Sequence, residues 1–185
     1  MDTDTDRLAN LLAAASLAVH GKVSDAVGRA VGGGASVPAA LVTLASEPGV
    51  GITELGMRIG MSQPAAARLV ASMVSQGLVE RRSGPDGRSQ SLVPTRRGIE
   101  RASTALAMRN DLVRRLLVPL DEDEQAMLTR ALEKILFQVT GSDTRPFFHC
   151  RLCDRQACIA CGQKCPVSAA ARLQESAGAG PAPSS

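Results

Sequence analysis

The residues with the most chemistry in them lie in one short stretch of the chain. All five cysteines of the 185 residues fall between Cys150 and Cys165, spaced C-x2-C-x4-C-x2-C-x3-C. A C-x2-C pair bends the backbone so that two thiolates converge on one ion, and a tetrahedral zinc site needs two such pairs. Met1-Asp2-Thr3-Asp4-Thr5-Asp6 is acidic and polar, unlike a secretion signal, and no apolar run reaches membrane-spanning length. The expectation is a cytoplasmic protein without a membrane partner, where thiols stay reduced, so the cluster implies bound metal. Zinc is the expected ion. An iron–sulfur cluster is the alternative, because Cys158-x2-Cys161-x3-Cys165-Pro166 repeats the second half of a ferredoxin run, although x4 between Cys153 and Cys158 breaks the first half. Free or redox-labile thiols are the remaining reading. His149 could replace one thiol, but a neighbour of a ligand is more often a bystander.

Arginines form the second suggestive group. The chain carries 21 basic and 18 acidic residues, a net charge of +3, so total charge does not by itself imply a polyanionic partner. Distribution says more. Acids crowd into the first six residues and the run Asp121-Glu122-Asp123-Glu124. Arg81, Arg82, Arg88, Arg96, Arg97 and Arg101, by contrast, meet only Asp86 and Glu100 in their own stretch. A local positive strip on a near-neutral body suits a nucleic-acid surface, and it equally suits a solvated arginine face.

Enzyme chemistry finds little footing. His20 and His149 are the only histidines, and there is no G-x-S-x-G, P-loop or dinucleotide fingerprint. No enzyme is expected. A cysteine-based oxidoreductase is the alternative from that class, and a protein-binding zinc knuckle is a third.

The elements that must position these residues are mostly helical. Hydrophobic residues make up 44% of the chain, chiefly Ala, Leu and Val, with three Phe and no Trp or Tyr. That balance favours helices over a β-sandwich. Leu8, Leu11, Leu12, Ala15, Val19, Val23, Ala26, Val27 and Ala30 recur at helical spacing up to Gly32-Gly33-Gly34. A second helix is predicted from about Pro38 to Ala45, and a short third, capped by Thr53, runs through Met57 until Gly60 stops it. Ser62 or Gln63 opens a fourth, with Pro64 in its first turn and Gly77 at its end. Two extended runs, Leu78 to Arg81 and Ser89 to Val93, flank Ser83-Gly84-Pro85-Asp86-Gly87 and read as a β-hairpin. Thr95 can cap a long helix that Pro119 breaks. Asp121 and Glu124 resemble a capping box for the next helix, which should bury Leu128, Ala131, Leu132, Ile135 and Val139. The predicted class is mainly α with a small β-hairpin wing: a winged helix-turn-helix flanked by long helices.

In a helix-turn-helix the second helix enters the major groove, its N-terminal residues at the base edges. Here that helix begins Ser62-Gln63-Pro64-Ala65-Ala66-Ala67-Arg68. Alanines such as Ala65 and Ala67 leave a face slim enough for a groove, and Gln63 and Arg68 are side chains that bond bases or phosphates. The competing reading is an ordinary helical hairpin with solvated polar residues. At the wing tip Asp86 can orient Arg88 for a narrow minor groove, whereas Arg81 and Arg82 at the wing base suit phosphates.

Ile52-Thr53-Glu54-Leu55, Ser62-Gln63-Pro64-Ala65, Gly77-Leu78-Val79-Glu80-Arg81, Asp86-Gly87-Arg88 and Thr95-Arg96-Arg97-Gly98, in this order, resemble the multiple-antibiotic-resistance regulator (MarR) family. The resemblance spans roughly residues 8 to 140. It implies a homodimer whose first and last helices interlock, a wing whose Asp86 and Arg88 touch DNA, and a cavity for a small-molecule effector. Pro94 departs from it, standing where the family usually has leucine, and the hairpin is expected to end by Val93. The tail is similar to a subset of such regulators with C-R-L-C-D, a third cysteine and C-P-V. That similarity implies Cys150, Cys153, Cys158 and Cys165 as ligands and Cys161 as the spare.

Dimerisation also has a physical basis, since the apolar stripes starting near Arg7 and Asp121 exceed what a small wing domain can cover. The expected organisation is an N-terminal dimerisation helix over 1–35 and a DNA-binding domain over 36–98. C-terminal dimerisation helices follow over 99–142, then a cysteine-rich metal-binding tail over 143–170 and a flexible tail over 171–185. The expected partners are a double-stranded operator, read as an inverted repeat, and a second copy of the chain. The expected role is a ligand- or stress-responsive repressor with a structural zinc knuckle; a metal- or redox-sensing regulator is the alternative. Phe147 and Phe148 are expected to anchor the knuckle to the dimer helices.

Overall fold

The computed structural model describes residues 3–83 and 90–178. Its helices are α1 (Thr3–Val31), α2 (Ser36–Ser46), α3 (Ile52–Ile59), α4 (Gln63–Ser75), α5 (Arg96–Leu117), α6 (Glu122–Gly141), the single turn α7 (Arg155–Cys158) and α8 (Pro166–Gly178). Strands β1 (Val79–Ser83) and β2 (Gln90–Pro94) form an antiparallel pair between α4 and α5. The turn tip, with Asp86, Gly87 and Arg88, lies outside the described residues. No single described helix is long and apolar enough to cross a membrane.

The core sits around α2, which is apolar on every side. Val37 through Leu44 are all buried, the pattern of a helix enclosed by its neighbours rather than resting on a surface. Leu55 from α3, Val70 and Met73 from α4, Leu78, Leu92 from β2, and Ala102 and Ala105 from α5 close over it. Caps fix where the helices begin. The Thr95 hydroxyl accepts from Gly98 N at 3.1 Å and donates to Gly77 O at 2.7 Å, tying α5 to the end of α4. Gly98 belongs there because a Cβ would collide with the Leu78 carbonyl oxygen. Asp121 and Glu124 form a reciprocal capping box on α6, at 2.9 and 3.0 Å.

The hairpin corrects one expectation. Pro94 remains in β2, opposite Val79. Thr95 N donates to Leu78 O at 3.0 Å, which makes Leu78–Thr95 the hydrogen-bonded pair and Val79–Pro94 the non-bonded one. Antiparallel ladders alternate in this way, so the N–H that proline lacks is not needed. The other side of β2 is used as well. Gly49 N donates to Leu92 O at 2.9 Å and Leu92 N to Val50 O at 3.1 Å.

Outside the core the helices are less covered. Leu8 and Leu17 on α1 are 66% and 75% exposed, and Met127 on α6 is 58% exposed. Leu132, Ile135 and Val139, expected to be buried, are instead exposed in the single chain, as is Ala131. The reason is geometric: only α8 and the turn after α6 pack on this helix in quantity. α8 also corrects the tail boundary, since residues 171–178 continue a helix rather than a flexible segment. Val167, Ala170 and Ala171 are buried, and Gln174 Nε2 donates to Thr140 O and Gly141 O, latching α8 to the end of α6.

Candidate nucleic-acid interface and cysteine centre

The helix pair α3–α4 is held at close quarters. A Cβ on Gly56 would stand 3.1 Å from Met61 O and 3.2 Å from the Ala66 methyl, so only glycine against alanine permits this approach. α3 ends in a Schellman motif. Gly60, at φ 73°, donates to Met57 O, and Met61 N donates to Gly56 O at 2.8 Å. That turn delivers Ser62 in extended conformation as N-cap of α4, without a side-chain cap.

One side of α4 is locked inward through Ala66, Val70 and Met73, all fully buried. Ser62, Gln63, Pro64 and Arg68 are exposed, and Ala65 and Ala67 are half-buried between the two sides. Ala66 is therefore a packing residue, while the flanking alanines border the exposed surface. Arg81 and Arg82 lie exposed on β1, Arg82 in a 3.2 Å ion pair with Glu80. Asp86 and Arg88 fall outside the described residues.

The arginine strip read from the sequence divides. Arg97 Nη1 donates to Gln76 O at 3.2 Å and Arg101 Nη1 to Val31 O at 3.2 Å, so these two cap the ends of α4 and α1. Arg96 pairs with Glu100 one turn along at 3.0 Å. Arg68, Arg81 and Arg82 stay outward.

Cys150, Cys153, Cys158 and Cys165 line one cavity of about 50 Å³, together with Val42, Thr43 and Ser46 from α2, Glu47 just after it, and Arg58 from α3. Cys161 is not on its walls; it is exposed and takes a left-handed φ of 56°. The thiols touch one another. Cys150 donates to Cys153; that bond, together with burial, pushes the Cys150 thiol up, while on Cys153 the same bond outweighs burial and holds the thiol down. Burial, then the neighbouring sulfurs, raises Cys158 to about 11. Cys165 sits at the start of α8; burial raises its pKa, but the Ser168 and Val167 amides and the Ser168 hydroxyl outweigh this and lower it. Among the described residues, no three of His, Cys, Asp and Glu already stand at coordination geometry. The donor set nevertheless suits zinc chemically: four convergent sulfurs, two of them from one C-x2-C pair. His149 points elsewhere, its Nε2 3.1 Å from Asp143 Oδ2.

The knuckle docks differently from its expected anchorage on the dimer helices. The Phe148 ring lies on Gly60, where any Cβ would run into it. The Arg58 guanidinium stands 5.0 Å from the Phe147 ring centroid and pairs with Glu47 and Glu54 at 2.8 Å each. Burial lowers the Arg58 pKa, but the two carboxylates more than compensate and raise it. Asn110 on α5 donates to Asp154 at 2.9 Å, and Leu152 packs on the main core. The aromatic pair therefore grips the helix-turn-helix. Sequence spacing gave no sign of this; the one available hint, the i,i+4 spacing of Glu54 and Arg58, does not point to the aromatic pair.

The MarR family model matches residues 36–89. No curated protein matches the chain. MepR of Staphylococcus aureus, a transcription regulator of the multidrug efflux pump MepA, superposes with a TM-score of 0.61 at 16% identity, covering 71% of this chain and 97% of its own. Rv1404 from Mycobacterium tuberculosis gives 0.63 at 20% identity, covering 78% and 100%. Rv2887, a MarR family protein of the same organism, solved in complex with DNA, gives 0.56 at 24% identity, covering 69% and 96%. With its Schellman-linked helix pair and its hairpin, the chain has the winged-helix fold of these regulators, and its residues 36–89 match the MarR family.

Proposed function

We propose that the chain works as a homodimeric repressor on an inverted-repeat operator, released by a small-molecule effector. The carrying observation is the two-sided α4: Ala66, Val70 and Met73 lock one side into the core while Ser62, Gln63, Pro64 and Arg68 face outward. Such a helix can present base-reading groups without losing its seat. Exposed leucines on α1 and apolar residues on α6 support pairing of two chains, the isologous arrangement that an inverted repeat mirrors. A chromosomal operator would require the protein in the cytoplasm, which is the location proposed for it. Rv2887 has also been solved with p-aminosalicylic acid, at 26% identity, and with salicylic acid. An aromatic acid is accordingly the effector class to try first. Selection of binding sites from a random duplex pool tests the reading. The expected product is a pair of half-sites about one helical turn apart; a pool without enrichment at moderate salt overturns it.

The four thiols of the cavity are proposed to hold one zinc ion, with Cys161 left out. Zinc there would cross-link the segments on either side of α7, stapling a tail with little core of its own. An iron–sulfur cluster on the same sulfurs is the second reading. Elemental analysis with the absorbance spectrum of anaerobically purified protein separates them: zinc without colour, or iron with visible absorption.

A further inference from the structure

The cysteine segment is not an appendage hung from the far end of α6. Its cavity is walled by α2 and α3 of the DNA-binding lobe, and its aromatic pair sits on the turn that sets the direction of α4. Phe147 and Phe148 lie three and two residues before Cys150 in a single helical turn, Pro146–Cys150, so their position depends on where that first thiol is held. The Phe148 ring carries the guanidinium groups of Arg145 and Arg151, at 5.4 and 4.0 Å from its centroid, and Arg151 Nη1 donates to Phe148 O at 3.0 Å. Its ring thus has little freedom except to follow the backbone of the knuckle. Gly60 offers a bare backbone to that ring, and Gly60 is also the left-handed C-cap on which the angle between α3 and α4 depends.

We propose that Phe148, seconded by the Phe147–Arg58 stack, is a positioning residue for the recognition helix, and that metal held by the four thiols sets its grip. The inference rests on the zinc reading and on the DNA-binding reading given above. Filling the thiol cavity fixes Cys150, the fixed turn presses Phe148 onto Gly60, and α3 and α4 keep one crossing angle. Emptying it frees the turn, and the reading helix loses part of its preorganisation. The consequence is a protein whose affinity for DNA follows its metal content. By linkage the effect is mutual, because DNA must then raise metal affinity by the same factor.

The test uses the full chain, with zinc alone as the probe and the duplex recovered by site selection. Hydrogen exchange on the zinc-loaded and chelator-stripped protein should show the amides of Gly60, Met61 and the first turn of α4 exchanging faster once zinc is removed. Duplex affinity should fall by about 5- to 150-fold, the usual range of coupling between sites. Phe148→Ala should still take up one zinc per chain, yet bind duplex equally with or without it, and Phe148→Leu should restore part of the dependence. Equal exchange and equal affinity in the loaded and stripped wild-type protein overturn the proposal and leave a staple only. A Phe148→Ala chain that keeps the full zinc dependence overturns the route through this ring. A chain that takes up no zinc fails the reading of the centre, and a chain that selects no duplex fails the reading of the lobe; in the second case the exchange experiment still judges the grip.

Discussion

The lobe from α2 to β2 and the long helices α1 and α6 draw on the same aliphatic residues, yet only the lobe closes a core of its own. Leu41, Leu44, Leu55, Met73, Leu78 and Leu92 are fully buried, whereas Leu17 on α1 and Met127 on α6 stay largely in water at 75% and 58% exposure. Helical periodicity is equally good in both regions, so periodicity does not say what will cover a stripe. Around α2, side chains from α3, α4, β1 and β2, joined by one end of α1 and of α5, supply that cover within the chain. α6 has α8 on one side and solvent on the other. Stability is therefore expected to reside in the lobe, and assembly in the flanking helices.

The sharpest way to break this contrast is a charge on the uncovered side of α6. Leu132→Glu should leave the thermal transition of the lobe in place, turn the proposed dimer into monomers by sedimentation, and cut affinity for the proposed operator by about 10³-fold or more, towards the non-specific level. Unchanged dimerisation would show that the assembly surface lies elsewhere. Within the lobe, Leu55→Ala should cost about 2–5 kcal/mol of unfolding free energy in denaturant titration, as expected for a buried leucine that leaves a cavity; a loss below 1 kcal/mol would contradict the closed core. Arg68→Ala should weaken operator binding by about 1–3 kcal/mol if its contact is to a base edge. Should its contact be to phosphate, the salt slope should instead drop by about 1; no change in either refutes an outward DNA role. Thr95→Ala removes the cap that joins α5 to the end of α4 and should cost about 0.5–2 kcal/mol by the same titration. Arg82→Ala, at an exposed pair with Glu80, should alter stability by less than about 1 kcal/mol, and a larger effect would reveal a packing role for this arginine.

Local signals were the more readable ones, although Thr53, expected to cap α3, lies inside that helix, which starts at Ile52 behind Gly51. The Asp121–Glu124 box and the Thr95 cap depend on partners three residues away, and both are present as bonds. The winged helix-turn-helix order was legible for the same reason, since glycines and prolines mark its joints. What could not be read depends on distant partners. Pro94 stays in its strand because it falls at a non-bonded position opposite Val79, next to the bonded Leu78–Thr95 pair. Residues 171–178 are helical because Val167, Ala170 and Ala171 find burial and Gln174 reaches the end of α6. Spacing left five cysteines competing for four places. The left-handed backbone at Cys161, which turns that residue out of the cavity, depends on the folded loop. Arg97 and Arg101 looked like part of a DNA strip, and their carbonyl partners lie 21 and 70 residues away in sequence.

The two bonds between Leu92 and the segment Gly49–Val50 carry a mechanical consequence. They make β2 an inner strand, stitched on one side to β1 and on the other to the chain that leads directly into α3. The hairpin cannot swing on its stem without dragging that lead-in along. On the proposed reading, the paired strands and the recognition helix would meet the double helix as one unit with a preset spacing, so adaptation to a given site would fall to bending of the DNA or to rotation of one subunit of the proposed dimer against the other.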